Sequence, residues 1–329
     1  MVLQNQILSI LALSSTLFTC AGLIQERPIS VHPVELSEEY LTGDQVMGAR
    51  LCGTLDLSSA IQNGYSLNGL SGLAWNASEN VLYALSDYGV LFYLKPFFEK
   101  ERLVNVELLG AYPLQDPSGK RLKSDDRDSE GLSFRHDSSG KPQLLVSFEE
   151  RPRISAYTTT GVFLEDIPLP EVLRDVKHYR GPNQALETVT IHPDWGILTG
   201  PEWPLRSADP TQFSLYSLGG KNWTFPRGNA PQNALVDMTV LPDGSLITLE
   251  RAFVSYFKPM LITLRRVFLT AESAEVREIV VFDTTRGWRI DNFEGLTSLG
   301  DGRLLIVSDD NNNPLQRTLL MCLKIDSPL

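Results

Sequence analysis

Glu294-Gly-Leu-Thr-Ser-Leu-Gly-Asp-Gly-Arg-Leu-Leu-Ile-Val-Ser-Asp-Asp-Asn-Asn-Asn313 holds a strand, a tight turn, a second strand and an acidic exit loop within one short stretch. Asp301-Gly302 signals a hairpin turn, because glycine reaches positive φ without steric cost, and the flanking runs are β-rich and apolar. An acid therefore stands at the start of one strand and more acids at the end of the next.

The same unit recurs along the chain. Its opening strands are Ser71-Gly-Leu-Ala-Trp75, Glu130-Gly-Leu-Ser-Phe134, Glu187-Thr-Val-Thr-Ile191, Asp237-Met-Thr-Val-Leu241 and Glu294-Gly-Leu-Thr-Ser298. Spacings of 50 to 59 residues between those first positions match four-stranded propeller blades with modest loops. Second strands follow at Val81–Ser86, Leu144–Phe148, Ile197–Thr199, Leu246–Leu249 and Leu304–Ser308, with third and fourth strands in most units. No long stretch carries helical apolar periodicity, so the reading is all-β.

The last unit ends after three strands at Ile325, while Met47 to Leu57 is a strand without a blade. The expectation is a β-propeller of five four-stranded blades, six if the lead-in contributes strands, with the N-terminal strand closing the last blade. Of three cysteines, Cys52 and Cys322 fall on those two strands. Two buried free thiols are the alternative to a disulfide, but closure places the pair side by side and favours the bond.

At 329 residues, 42% hydrophobic and 21% charged, the chain can bury a full core. Its net charge of -11 argues against a nucleic-acid or anionic-membrane partner and favours cations. The first 24 residues carry no charged side chain, and Ile7 to Phe18 has the length of a signal-peptide core but is too short to span a bilayer. The reading is an export signal over residues 1–24, an exposed lead-in over 25–46 and the propeller over 47–329. Leu17-Phe-Thr-Cys20 loosely resembles a bacterial lipobox, which makes a lipid anchor at Cys20 one alternative to ordinary cleavage nearby, an uncleaved signal anchor being the other. Periplasmic, extracellular or envelope-anchored placement follows, with no membrane span in the mature chain; a monomer is expected.

Aligning the units puts Ser71, Glu130, Glu187, Asp237 and Glu294 in one column. A second acidic set follows the second strands: Asp87, Glu149 and Glu150, Glu202, Glu250, then Asp309 and Asp310. First strands line a propeller's channel and connecting loops gather at its mouths, so both sets are expected to converge as a charged ring. Crowded carboxylates need cations, bound protons or arginine partners. Hard oxygen ligands in this number suit calcium. Asp309-Asp-Asn-Asn-Asn313 also opens like a calcium loop, but Pro314 and Leu320 stand where a glycine and a bidentate Glu belong, which leaves a polar Asx-rich turn as the plainer reading.

Metal ligands are therefore sought among Glu130, Glu187, Glu202, Glu294, Asp309 and Asp310, and metal or proton-transfer carboxylates among Glu130, Glu187, Asp237 and Glu294. Arg151 and Arg251 are the candidate phosphate contacts, their alternative role being salt bridges that neutralise the ring. Carboxylates, cations and arginines together suit metal-assisted phosphoester hydrolysis. No zinc-binding histidine spacing, nucleophile elbow, P-loop or Rossmann glycine pattern appears, and the four histidines read as surface residues. The rival class is a non-catalytic propeller that binds calcium structurally and an envelope ligand or protein on its face.

Asp128-Ser-Glu-Gly-Leu132, Ala185-Leu-Glu-Thr-Val189 with Gly200-Pro-Glu202, and Asn292-Phe-Glu-Gly-Leu296 with Ser308-Asp-Asp-Asn311 resemble the esterase-like domain of phytase, or phytase-like domain. The resemblance runs from about Ser66 to Ile325. It implies a secreted bacterial protein whose Glu and Asp residues hydrolyse a phosphoester. Ser71 replaces the acid in unit one, and Thr188 and Met238 replace the glycine in units three and four.

Overall fold

The computed structural model describes residues 26–58, 60–181, 184–228, 230–254 and 258–325. The expected export signal and Cys20 lie outside them. Four blades are four-stranded antiparallel sheets in simple sequence order. Blade one is β6 (Leu70–Asn76), β7 (Val81–Ser86), β8 (Val90–Glu99) and β9 (Arg102–Pro113). Blade two is β10 (Ser129–His136), β11 (Pro142–Phe148), β12 (Arg153–Thr158) and β13 (Phe163–Ile167). Blade three is β14 (Leu186–His192), β15 (Gly196–Pro201), β16 (Gln212–Ser217) and β17 (Asn222–Pro226). Blade four is β18 (Asn233–Val240), β19 (Leu246–Ala252), β20 (Leu261–Leu269) and β21 (Ala274–Asp283).

Blade five holds β22 (Asn292–Ser298), β23 (Arg303–Asp309) and β24 (Leu319–Ile325), and its fourth strand is β3 (Ala49–Ser58) from the start of the chain. The innermost strands touch in a closed cycle, β6 to β10 to β14 to β18 to β22 and back to β6. Five blades therefore complete the ring. The lead-in makes no sixth blade: β1 (Ser30–Pro33) and β2 (Gln45–Val46) both pair with β3 at the rim of blade five. Nor is it wholly exposed, since Leu36 and Ser37 are buried. A short hairpin of β4 (Ile61–Gln62) and β5 (Tyr65–Ser66) bridges to blade one.

Cys52 and Cys322 form a disulfide between β3 and β24, clasping the two ends of the propeller. The core lies between the blades rather than within any one of them. Leu82, Phe92, Leu305 and Val307 pack blade five on blade one, and Phe213, Phe225, Leu235 and Met238 pack blade three on blade four. Burying both faces of inner strands explains their near-continuous apolar runs, and the outermost strands alternate, as in Asn222–Pro226 with Trp223 and Phe225 inward.

Candidate functional site at the channel mouth

Each innermost strand carries one irregularity in its pairing, always near its first turn. The ladder breaks between Leu70 and Gly72, Ser129 and Leu132, Leu186 and Thr188, Leu235 and Asp237, and Phe293 and Gly295. Such a bulge leaves one residue unpaired and re-aims its side chain. The equivalent bulge residues are Ser71, Glu130, Glu187, Val236 and Glu294. In blade four the alignment by residue type is therefore wrong by one position, because the paired residue Asp237, opposite Leu249, matches the glycines of other blades rather than their acids.

The second acidic set corrects in the same way. Gly72 pairs with Leu85, Thr188 with Gly200, Asp237 with Leu249 and Gly295 with Val307. Two residues beyond each partner stand Asp87, Glu202, Arg251 and Asp309, and Glu149 is the equivalent in blade two. Glu250 drops out of the ring: it is fully buried against Arg265 and Asn233. Blade four thus contributes a valine and an arginine where blades two, three and five contribute two carboxylates each and blade one contributes Ser71 and Asp87.

The glycine that follows the acid has a steric cause. A Cβ on Gly131 would lie 2.7 Å from Thr188 Cα, and one on Gly72 would lie 2.4 Å from the Glu130 carbonyl oxygen, so neighbouring innermost strands approach too closely for a side chain. The two exceptions, Thr188 and Asp237, bond to each other, Thr188 Oγ1 donating to Asp237 Oδ1 at 3.0 Å. Asp237 also accepts from Met238 N at 2.8 Å and, from the neighbouring innermost strand β22, from Leu296 N at 2.6 Å. It is a fully buried strut joining blades three, four and five, and its pKa is pushed up by burial, with those hydrogen bonds opposing. The expected role of Asp237 in the acid ring is replaced by this structural one.

The ring itself comprises Asp87, Glu130, Glu149, Glu187, Glu202, Glu294 and Asp309, with Asp128 beside Glu130. Loss of water and mutual repulsion push Asp87, Asp128, Glu130, Glu149, Glu187, Glu202 and Asp309 toward their neutral forms. Burial, then the charge of Glu149, raises Glu130 well above the carboxylate range; burial, then Glu202, does the same for Glu149. Glu187 is raised by burial and by Glu130, Glu149, Glu202 and Glu294 together. Asp87 is pushed up to about 7 by burial and Glu294, and Asp128 to about 6 by burial and Glu150. Asp309 reaches about 9 through burial, Glu294 and Asp87.

Arg251 is the counter-charge to Glu294, Glu202 and Glu187, and Arg127 acts on Asp87 and Asp128. Arg251 Nη1 pairs with Glu294 and donates to Asn292 Oδ1 at 2.5 Å, and its Nη2 lies 3.3 Å from Glu202 Oε1. Burial lowers its pKa, but Glu294, Glu202 and Glu187 outweigh that and hold it firmly charged. Burial still raises Glu202 to about 7 despite Arg251. Arg151, by contrast, is 63% exposed and pairs with Asp126 at 2.7 Å, away from the ring. Asp310 braces its loop, accepting from Gly69 N at 3.2 Å and Thr318 Oγ1 at 3.0 Å. Asp309 and Asp310 each accept from the amide two residues on, at 2.7 and 3.0 Å, so the 309–313 segment is a run of Asx turns.

A hard cation fits this donor set. Ligand atoms of Asp128, Glu130 and Glu149 lie within 4.8 Å of one another. Asp128 Oδ2 is buried without a hydrogen-bond partner, and no hydrogen bond among the described residues reaches the carboxylate of Glu187, which is 6% exposed. Buried carboxylate oxygens without donors are what a cation would satisfy. Asp128 and Glu149 were within reach of sequence reasoning, since both flank the E-G-L motif or the second strand, but neither was placed among the ligands. The histidines stay outside the ring. His192 is buried rather than superficial, its Nδ1 accepting from Asp194 N at 3.0 Å, and burial lowers its pKa.

Three comparisons bear on this geometry. A family model described as phytase-like, esterase-like activity of phytase, matches residues 66–312. No curated protein matches the chain. Among solved structures, the Dos1 propeller is similar with a TM-score of 0.36 and 8% identity over 84% of this chain and 76% of that one; the propeller described above rests on its own sheet order, not on that likeness.

Proposed function

The chain belongs to the phytase-like family, and from that premise we propose that it is an exported, calcium-dependent phosphoric-ester hydrolase with the acid ring as its active centre. The observation that carries the reading is the convergence of the Asp128, Glu130 and Glu149 carboxylates, with Asp128 Oδ2 buried and without a donor, at one channel mouth beside the guanidinium of Arg251. Asp128, Glu130 and Glu149 would hold the cation, which would neutralise ester phosphate charge and acidify a water molecule.

The protein's own groups divide the remaining work. Arg251 spends three of its five N–H donors on Glu294, Asn292 and Glu202, which leaves two for a phosphate oxygen. Clamped on both sides, it needs no reordering when substrate arrives. Glu187, whose pKa is raised by burial and by its acidic neighbours, would protonate the departing alcohol oxygen. Glu202, poised near 7, would accept the proton that the attacking water releases and return it to Glu187 once the alcohol has left. Val236 keeps the blade-four side of the mouth free of a carboxylate, so an anion enters beside Arg251 rather than against a charge. Export is supported by the disulfide, a bond that persists in oxidising compartments.

The test is hydrolysis of aryl phosphate monoesters, aryl phosphate diesters and phytate by purified protein with calcium or chelator, alongside Glu187→Gln and Arg251→Lys. Chelator-sensitive turnover that both variants lose while still folding supports the reading. A folded, calcium-binding wild type without turnover on all three substrates overturns it in favour of a calcium-stabilised binding propeller.

A further inference from the structure

A groove of about 570 Å³ lies away from the acid ring, where the closing strand meets blade one. Its floor is Leu51 and Cys52 of β3, and one wall is the loop at Thr42 and Gly43. That wall is built rather than loose: Gly43 N donates to Leu51 O at 2.8 Å, Leu51 N to Asp44 O at 2.9 Å, and Thr42 N to Glu35 Oε2 at 3.0 Å. The opposite wall is the β8–β9 turn, from Glu99 to Arg102.

Four of the residues that line the groove are cationic, Arg50, Lys100, Arg102 and Lys324, and two are anionic, Glu99 and Glu101. Arg50 and Lys324 are direct cross-strand partners, a like-charge pairing set against the one carboxylate of Glu101. Glu101 forms an ion pair with Lys324, and Glu99 stands opposite Arg102 in the β8–β9 ladder. Arg50 and Lys100 have no ion-pair partner among the described residues, and both are exposed. A cationic rim over an apolar floor, in a chain of net charge -11, is matched by a ligand with an anionic head and an apolar body.

We propose that this groove binds a single-chain anionic amphiphile, its carboxylate or other anionic head at Arg50 and Lys100 and its alkyl chain along Leu51 and Cys52. The proposal is independent of hydrolysis at the ring. Bound there, the ligand covers the seam that the Cys52–Cys322 disulfide closes, so occupancy would stabilise propeller closure.

The test is calorimetric titration of the full chain, in chelator and below micelle formation, with decanoate and with decyl sulfonate, against neutral decanol. Saturable binding of both anions with Kd below about 1 mM is expected, weakened at least tenfold in Arg50→Glu/Lys100→Glu and in the milder Arg50→Gln/Lys100→Gln, and unchanged in Asp128→Asn. Circular dichroism confirms that each variant is folded. Equal binding of decanol, or undiminished anion binding in both folded double variants, overturns the proposal. So does co-sedimentation with phosphatidylglycerol vesicles without binding of the single-chain anions, because the surface would then be a membrane contact.

Discussion

Replacing Arg251 by glutamine tests whether the ring is a charge-crowded site held by its guanidinium. Glu202 and Glu294, with side chains 11% and 13% exposed, both lose their partner, and Gln cannot supply a charge. Stranding buried carboxylates costs about 3–5 kcal/mol when they must stay ionised. For a chain of 329 residues that is a fall in Tm of about 4–7 °C at pH 8 in chelator. At pH 5.5 the stranded acids can bind protons instead, so the deficit should shrink to a small fraction of its pH 8 value. Saturating calcium at pH 8 should recover part of the loss, since cations at the ring replace the missing charge. Thermal melts at both pH values, with and without calcium, supply the readout. Arg151→Gln is the control, its exposed pair with Asp126 being worth less than about 1 kcal/mol. An Arg251→Gln deficit that is absent at pH 8, or that grows as pH falls, would refute the argument.

Three further outcomes follow from the same geometry. In chelator, the wild type should become more stable as pH falls from 8 to 5.5, because Asp128 near 6, Asp87 and Glu202 near 7 and Asp309 near 9 bind protons in the native state that unfolded carboxylates release. Each proton taken up adds a slope of about 1.4 kcal/mol per pH unit, and urea midpoints that instead rise with pH would contradict the crowding. Asp237→Ala should cost about 2–4 kcal/mol by orphaning Leu296 N and Thr188 Oγ1, yet leave calcium affinity in titration calorimetry within about twofold; a large loss of calcium affinity would return Asp237 to the ring. Removing the disulfide as Cys52→Ser/Cys322→Ser opens a loop of sequence separation 270, and the chain-entropy relation sets the loss at roughly 5 kcal/mol, read as a lower urea midpoint than the oxidised wild type.

The architecture was open to sequence reasoning because every blade repeats the same local problem. A first strand buried on both faces, a tight turn and a second apolar strand must recur at blade spacing, and the unpaired strand at Met47 to Leu57 has one vacancy to fill beside β24. Closure then fixed the Cys52–Cys322 pairing, since both positions fall on the joined strands. The lead-in was harder: Leu36 enters the core from a polar, proline-containing stretch with no periodicity to announce it.

Blade four shows why the site was only partly readable. Residue type alone aligns Asp237 with the acids and Glu250 with their second-strand companions, and each choice is wrong by one position, Val236 lying one before Asp237 and Arg251 one after Glu250 on the antiparallel strand. A bulge adds a residue without changing composition, so nothing in a single strand reveals which residue is expelled from the ladder. The pair of strands does carry a signal: a shift that moves Val236 into the acid column must also move Arg251 into the companion column, because the two strands share one register. A valine next to an acid and an arginine next to a glutamate, at matching offsets, therefore report one altered blade rather than two coincidences. The consequence is chemical. A ring with five equivalent acidic blades would repel a phosphate from every side, whereas the altered blade supplies the guanidinium fixed between Glu202 and Glu294 and, at Val236, an uncharged approach beside it.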